Sequence, residues 1–383
     1  MSPVTVRPYE EADAEGFFRV RSLTYNNGDP VPQEKRVFKN LMGFVGEQDG
    51  QIKGIFVILP LTCTRGEALL QAGGVAAVAV LPHERKSGVG KAMMEWWVRE
   101  ARSRGIHMSS LYGFSERYYR QFGYEVCGKR IKITCPSDKL PRLEHNLPLR
   151  VLGPDDWEQL DACQQAFAHA RSGLSVRNEK LWHRVLAENR RLTVYVAGEP
   201  VQAYAVVSHK VDFWSTDHIS DTGWSSPEGY AGLMDILRGL AVNKTGLSWH
   251  EPSDSPFLAS YLDTKVETVI ERPIMYRVND VPGALRALTP EQFGQFSVRV
   301  QDELVPENVG PWRVELIDGK VSVQKSDNAD IEIDVRHFAQ SFLGDPSFAD
   351  LLRNGFVKVN NPQAIGPASR LFSPMPVYCP EFF

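Results

Sequence analysis

The chain has 383 residues, a length that predicts two or three domains. A hydrophobic content of 43% and a charged content of 23% are typical of a globular protein and not of a disordered one. The net charge of −4 and the absence of a lysine/arginine block provide no basic surface for a polynucleotide, so we expect no nucleic-acid partner.

The sequence also argues against a membrane protein, a disulfide-bonded protein and a metalloprotein. No stretch approaches the ~18 consecutive apolar residues of a membrane span, and residues 1–7 lack the apolar run of a signal peptide. We therefore expect a cytoplasmic protein without a membrane partner. The five cysteines are odd in number and scattered, with no CxxC pair, which predicts reduced thiols and no metal site.

The first third of the chain has the pattern of a sheet covered by helices. Strands alternate apolar and polar residues, whereas residues 88–103 place an apolar face at i, i+3 and i+4 spacing. In chain order we predict a strand (4–7), a helix (9–23), strands (44–47, 54–61 and two apolar runs within 68–81), a helix (88–103), a strand (109–114), a short helix (116–121) and a closing strand (124–133). These elements define a first unit, residues 1–134.

The remaining 249 residues (383 − 134) divide into two further units. Turn-forming proline, aspartate and asparagine residues recur at 136–148 and predict a linker. After this linker, the pattern of a strand followed by a helix with an acidic start is partly repeated. This second unit, residues 135–275, lacks a counterpart of the turn at 85–90. The third unit, residues 276–383, is predicted to have strands at 296–300, 312–317, 320–324 and 331–335 and helices at 336–343 and 347–354.

The segment VAVLPHERKSGVGK, residues 78–91, has the clearest chemical meaning. It joins a strand to a helix through a turn that contains Gly88 and Gly90. Backbone N–H groups at a helix N-terminus attract a pyrophosphate, and glycines let it approach closely. Arg85, Lys86 and Lys91 add positive charge, and the main chain of the preceding strand offers an edge to an amide-containing arm. The segment therefore predicts a site for acetyl-CoA, although an ordinary strand-to-helix turn is the alternative.

Two motifs in this region resemble a known superfamily. The R-x-x-G-x-G arrangement from Arg85 to Gly90 resembles the acetyl-CoA signature of the GNAT N-acetyltransferases. The segment YYRQFGY, residues 118–124, resembles their Y-x-x-F-G-Y/F segment, whose first tyrosine is a general acid. The match implies that Tyr119 protonates the leaving thiolate, with the adjacent Tyr118 or simple aromatic packing as alternatives.

The resemblance extends the predicted cofactor site beyond the turn. Ser115 and Glu116 fall where the superfamily has its second coenzyme contact, and an N-cap role for Ser115 is an equal alternative. The residues predicted to contact acetyl-CoA are Val78, Ala79, Val80, Arg85, Lys86, Ser87, Gly88, Val89, Gly90, Lys91, Ser115 and Glu116.

The organisation of the whole chain resembles the Eis (enhanced intracellular survival) family, supported by the segments YLDT (261–264) and RVNDVPGAL (277–285). The resemblance implies an α+β fold with tandem GNAT-like units, each a mixed central sheet flanked by helices, followed by a sterol-carrier-protein-like α+β domain. The first unit would be catalytic and the second degenerate. The C-terminal carboxylate serves as the base in this family, which implies that role, or that of an amine anchor, for Phe383. A homo-oligomer, often a hexamer, and a small-molecule or peptide primary amine as acceptor are also implied.

The acceptor and the third unit leave alternatives open. Phe382 stands where aminoglycoside-modifying relatives carry an acidic residue, which argues against a polycationic acceptor, and Asp29, Glu34 and Phe38 are candidates for an amine pocket. A non-catalytic acetyl-CoA and lipid sensor is the alternative function. Its lipid pocket would be lined by Phe338, Phe342, Leu351, Leu352, Phe356, Leu371 and Phe372, for which ordinary core packing is the competing interpretation.

Overall fold

The first unit is a mixed sheet with a helix on each face. The structure, a computed structural model, describes residues 2–32, 36, 40–153, 155–187, 191–212, 214–271 and 274–381. The first elements are β1 (Thr5–Pro8), α1 (Ala14–Tyr25), β2 (Met42–Gln48), β3 (Gln51–Arg65), β4 (Ala68–Val80), α2 (Val89–Ser103), β5 (Met108–Tyr112), α3 (Glu116–Arg120), β6 (Glu125–Val126) and β7 (Ile131–Pro136).

Alternation along β3 separates the two faces of this sheet. Ile55 and Val57 pack with α1, whereas Phe56 and Ile58 pack with α2. Helix α2 lies close to the strands because glycines face its bulky side chains. A Cβ at Gly73 would lie 3.1 Å from the Trp97 ring. The amphipathic pattern predicted for 88–103 is therefore confirmed by a helix that buries Val89, Met93, Met94, Trp97, Val98 and Ala101.

The second unit contributes two smaller sheets. Its elements are β8 (Leu149–Leu152), α4 (Glu158–His169), β9 (Ser172–Ser175), α5 (Glu179–Val185), β10 (Leu192–Ala197), β11 (Ala203–Ser208), β12 (Ile219–Trp224), α6 (Pro227–Leu240), β13 (Gly246–Glu251), α7 (Pro256–Ser260), β14 (Glu267–Ile270) and β15 (Ile274–Val278). The strand order is β12-β11-β10-β8 in one sheet and β13-β7-β14 in the other.

Strands are exchanged between the first two units. Strand β7 leaves the first sheet and pairs with β13 and β14, while the fully buried β15 enters the first sheet between β5 and β6. The prediction of one closing strand at 124–133 is therefore wrong, because two separate strands, β6 and β7, occupy this segment. Gly128 lies between them, and a Cβ there would lie 2.2 Å from the Val377 carbonyl oxygen. The predicted limits 134/135 and 275/276 fall inside β7 and β15, and the three-domain division remains a prediction.

The third unit is a five-stranded sheet covered by helices. It contains α8 (Val281–Arg286), β16 (Gly294–Gln301), β17 (Trp312–Ile317), β18 (Lys320–Lys325), β19 (Ile331–Asp334), α9 (Val335–Leu343), α10 (Phe348–Arg353), β20 (Val357–Val359) and α11 (Ile365–Leu371). The strand order is β18-β17-β16-β19-β20. With these mixed sheets and flanking helices, the predicted α+β class is confirmed.

The residues proposed for a lipid pocket in the third unit divide into two groups. Five of them are buried in a common core: Phe338, Phe342, Leu351, Leu371 and Phe372. Leu352 is only partly buried, and the Phe356 side chain is 49% exposed. These contacts favour core packing over a lipid-lined cavity.

Among the described residues, no helix is long and apolar enough to cross a bilayer, and no cluster of three metal-ligating side chains occurs.

Candidate functional site

Strands β4 and β5 run side by side over only three residue pairs, in the middle of β4 and at the beginning of β5. The parallel pairing covers Ala72–Met108, Gly73–Ser109 and Gly74–Ser110, and β4 then continues to Val80 with β3 on its other side. Within the described strands, residues 75–80 of β4 therefore have no partner on the β5 side. The two strands open into a wedge whose exposed main chain is suited to pairing with an extended amide.

A β-bulge lies on β4 at the mouth of this wedge. Ile55 pairs with Ala79 and Val57 with Ala76, so three residues of β3 face four of β4. Ala77 accommodates the extra residue with a φ of 50°. The bulge turns the main chain of residues 77–78 out of the regular ladder, where it can face a ligand lying between the strands.

The turn after β4 ends at an open helix N-terminus. Gly88 is the N-cap of α2, with a φ of 96°, and no side chain accepts a hydrogen bond from the first turn of the helix. A Cβ at Gly88 would meet nothing within 4 Å. Arg85 and Lys86 make no ion pair with a described residue, and Lys91 lies 3.7 Å from Glu95. Free N–H groups, open space and the positive charges of Arg85 and Lys86 together fit a pyrophosphate.

Helix α3 places its two tyrosines differently. The Tyr118 hydroxyl lies beside α2, 2.9 Å from the position of a Cβ at Gly90, and burial raises the pKa of Tyr118 to about 12. The Tyr119 ring is buried beside the end of β5, 3.1 Å from the position of a Cβ at Gly113. No hydrogen bond joins the Tyr119 hydroxyl to another described residue, and burial raises the pKa of this phenol above its ordinary value.

Ser115 and Tyr25 carry two further hydroxyl groups with different surroundings. Ser115 occupies the N-cap position of α3, but its side chain makes no capping hydrogen bond, which leaves the hydroxyl available; Glu116 follows in the first turn. Tyr25, which the sequence analysis missed, donates a hydrogen bond from its hydroxyl to the Val78 carbonyl oxygen at 2.9 Å. No local sequence signal identifies Tyr25, because its partner lies 53 residues away.

The C-terminal segment reaches the end of β5. The Tyr112 hydroxyl shares its single proton between the carbonyl oxygens of Cys379 (3.1 Å) and Glu381 (3.0 Å). Arg177 Nε lies 3.0 Å from Glu381 Oε1, and Arg177 Nη1 lies 2.6 Å from Asp221 Oδ2. All three of these charged side chains are buried. Phe383 lies outside the described residues.

The candidates for an amine pocket are only partly described. Asp29 is exposed, and its backbone carbonyl accepts hydrogen bonds from Ser22 Oγ at 2.6 Å and from Asn26 Nδ2 at 2.7 Å. Glu34 and Phe38 lie outside the described residues.

Two parts of the sequence match known domain families. Residues 5–127 match the Acetyltransferase (GNAT) domain, and residues 281–380 match the Sterol carrier protein domain. An "Uncharacterized N-acetyltransferase" of Streptomyces avermitilis is 28% identical over 342 residues, which cover 80% of each chain. The "N-acetyltransferase Eis" of Mycobacterium tuberculosis is 22% identical over 374 residues, 89% of this chain and 90% of its own.

Solved structures share the fold over the full length. A GCN5-related N-acetyltransferase from Anabaena variabilis has a TM-score of 0.89 at 19% identity, with all of both chains covered. Eis1 from Mycobacterium abscessus has a TM-score of 0.79 at 21% identity, again with all of both chains covered. The fold of this chain is therefore also found along the whole length of these solved chains.

Proposed function

Since the chain is an acyltransferase of the Eis-like GNAT family, as its motifs predicted, we propose that it transfers the acetyl group of acetyl-CoA to a primary amine by direct attack in a ternary complex. Proteins of this fold family use acetyl-CoA. The observation that carries the proposal is the bulged, unpaired edge of β4, which leads directly into the uncapped glycine N-terminus of α2.

Each part of this surface has a proposed task. The turn from Arg85 to Lys91 holds the phosphates through backbone N–H groups and positive charge. The main chain of residues 78–80 aligns the pantetheine arm, with the Val78 carbonyl already bound by Tyr25. Ser115 and Glu116 supply a second coenzyme contact beside the wedge.

The proposed chemistry requires one proton donor and one proton acceptor. The amine nitrogen attacks the thioester carbonyl carbon, the C–S bond breaks, and Tyr119 gives its phenolic proton to the departing sulfur. The raised pKa of Tyr119 keeps this phenol protonated. The amine gives up a proton to water or to the α-carboxylate of Phe383, whose role is carried over from the family resemblance.

Replacement of Tyr119 by Phe tests this assignment. We expect Y119F to lower kcat for acetyl-CoA-dependent thiol release by about 10²–10⁴-fold, the usual contribution of a positioned general acid. Calorimetric binding of acetyl-CoA should change little. Y118F is the matched control because it removes a neighbouring hydroxyl from the same helix. Turnover that survives in Y119F, or falls equally in Y118F, would remove Tyr119 from the mechanism.

The resemblance also implies assembly. We propose a homo-oligomer, a hexamer by family expectation, which light scattering of the purified chain would test. A mass equal to that of a single 43.0 kDa chain would contradict it.

A further inference from the structure

A cavity of about 910 Å³ lies between the first sheet and helix α5 of the second unit. Leu41, Leu59 and Leu61 of the first unit form an apolar wall, beside which the polar Asn40, Thr62 and Gln71 also line the cavity. A second wall is the helix, with Lys180, His183 and Arg184. A volume of this size is sufficient for a small organic acceptor.

The cavity adjoins the site proposed for acetyl delivery. Leu59 pairs with Gly74, and Val57, two residues earlier on β3, pairs with Ala76 at the bulge. At ~3.4 Å per residue, the apolar wall begins about 7 Å along the strand from the bulge. Leu41 bridges the gap, because it packs both against the cluster containing Leu59 and against the cluster that Ala76 adjoins.

The described charged side chains on the helical wall are all basic. Among the described residues that line the cavity, Lys180 and Arg184 are cationic, His183 is basic, and there is no carboxylate. Lys180 makes no ion pair with a described residue. Glu179, on the same helix, lies 3.5 Å from His183 but does not line the cavity. Such a wall attracts an anion and repels a second ammonium group.

We infer that the acceptor is a primary amine that also carries an anionic group, a carboxylate or a phosphate, at the end of a short apolar segment. The anion faces α5 while the apolar segment lies on Leu59 and Leu61, and the amine points towards the β4 bulge. This inference rests on the proposed acetyl transfer and specifies its substrate class. Polyamines and other polycations are excluded by the same charges.

A matched set of amines tests the inference. We would compare 5-aminopentanoate with its neutral amide, with 1,5-diaminopentane and with 4-aminobutyl phosphate in acetyl-CoA-dependent thiol release. The value of kcat/KM for the carboxylate or the phosphate should exceed that for the diamine by about tenfold or more. The reason is that the basic wall attracts the negative end group of the first two amines and repels the positive end group of the diamine. The better of the two anions identifies the group that is bound.

A charge reversal on the wall assigns the effect to this cavity. K180E should abolish the preference, and K265E, at an exposed lysine of the second unit outside the cavity, should leave it intact. A preference for 1,5-diaminopentane in the wild type, or an anion preference unchanged in K180E, would overturn the inference. Lys180 is exposed, so its replacement places no demand on the core.

Direct binding separates this inference from the proposed function. If no amine releases thiol, acetyl transfer to amines fails, and saturation-transfer NMR with 5-aminopentanoate and 1,5-diaminopentane still tests the cavity. Binding of the carboxylate that is lost in K180E would support an anion-binding cavity. Equal binding of the two probes, or no binding of either, would refute it.

Discussion

Arg177 is expected to hold the C-terminal segment against the end of β5, and its replacement by Met tests this. The side chains of Arg177, Asp221 and Glu381 have exposed fractions of 2%, 6% and 3%. R177M leaves two buried carboxylates without their cation, a change that typically costs about 3–5 kcal/mol. E381Q should cost less, because the amide oxygen can still accept the Arg177 hydrogen bond and Arg177 keeps Asp221.

The thiol of Cys379 reports the release of this segment. All five cysteines are buried, and burial raises the pKa of Cys379 to about 12, so its labelling under native conditions requires local opening. If about 3 kcal/mol of the cost falls on local opening, labelling of Cys379 should accelerate by roughly 100-fold in R177M. Peptide mass spectrometry after timed alkylation measures the rate, with the buried Cys163 of α4 as an internal reference.

A second buried ion pair provides the control. Arg277 Nη2 lies 2.5 Å from Asp302, outside the C-terminal segment, so R277M breaks a pair of the same kind. It should not accelerate labelling of Cys379 relative to Cys163. If R177M labels Cys379 no faster than the wild type, or accelerates both cysteines equally, the buried pair does not control the segment and the reasoning is refuted.

Three further predictions concern the wedge. G90A should weaken acetyl-CoA binding in calorimetry, because its Cβ would meet the Tyr118 hydroxyl at 2.9 Å; unchanged binding would contradict the close approach. A general acid works only when it is protonated. Because the pKa of Tyr119 is raised, deprotonation of this phenol should not lower kcat up to about pH 10. A tyrosine-dependent decline beginning near pH 8 would argue against this. Two residues added after Phe383 should abolish thiol release, and full activity would exclude a terminal carboxylate as base.

Local sequence patterns were sufficient to predict helix α2 and the glycine turn that precedes it. The amphipathic spacing of 88–103 and the glycines at 88 and 90 depend on neighbours within one or two helical turns, so α2 and its N-cap could be predicted. The strand at 312–317 was likewise correct to the residue, because alternating burial is a local signal.

Strand partners could not be predicted in the same way. Strand β15 is buried at every position and enters the first sheet, although more than 140 residues separate it from β6 in the sequence. The sequence of a fully buried strand does not indicate which sheet the strand joins, because its apolar side chains can pack equally well in the first sheet or in a sheet of the second unit. The unit boundaries drawn from linker composition therefore cut through strands.

Single polar residues were missed for a related reason. Tyr25 and Arg177 stand outside any motif, and their partners Val78 and Glu381 lie 53 and 204 residues away. Arg177 would be costly to bury alone, so its place in the core depends on two carboxylates from distant segments. Only the folded chain reveals that these groups meet.

The proposed acetyl-delivery edge lies beside surfaces that come from all three predicted units. The wedge and Tyr119 belong to the first unit, but the basic wall of the adjoining cavity comes from α5 of the second. The segment bound by Tyr112 comes from the third unit and is fixed by Arg177 of the second. In the proposed function, the first unit therefore supplies the donor site, and the inferred selection of the acceptor uses surfaces from the other two. Changes in α5 or in the C-terminal segment should accordingly alter which amine is acetylated while leaving acetyl-CoA binding intact.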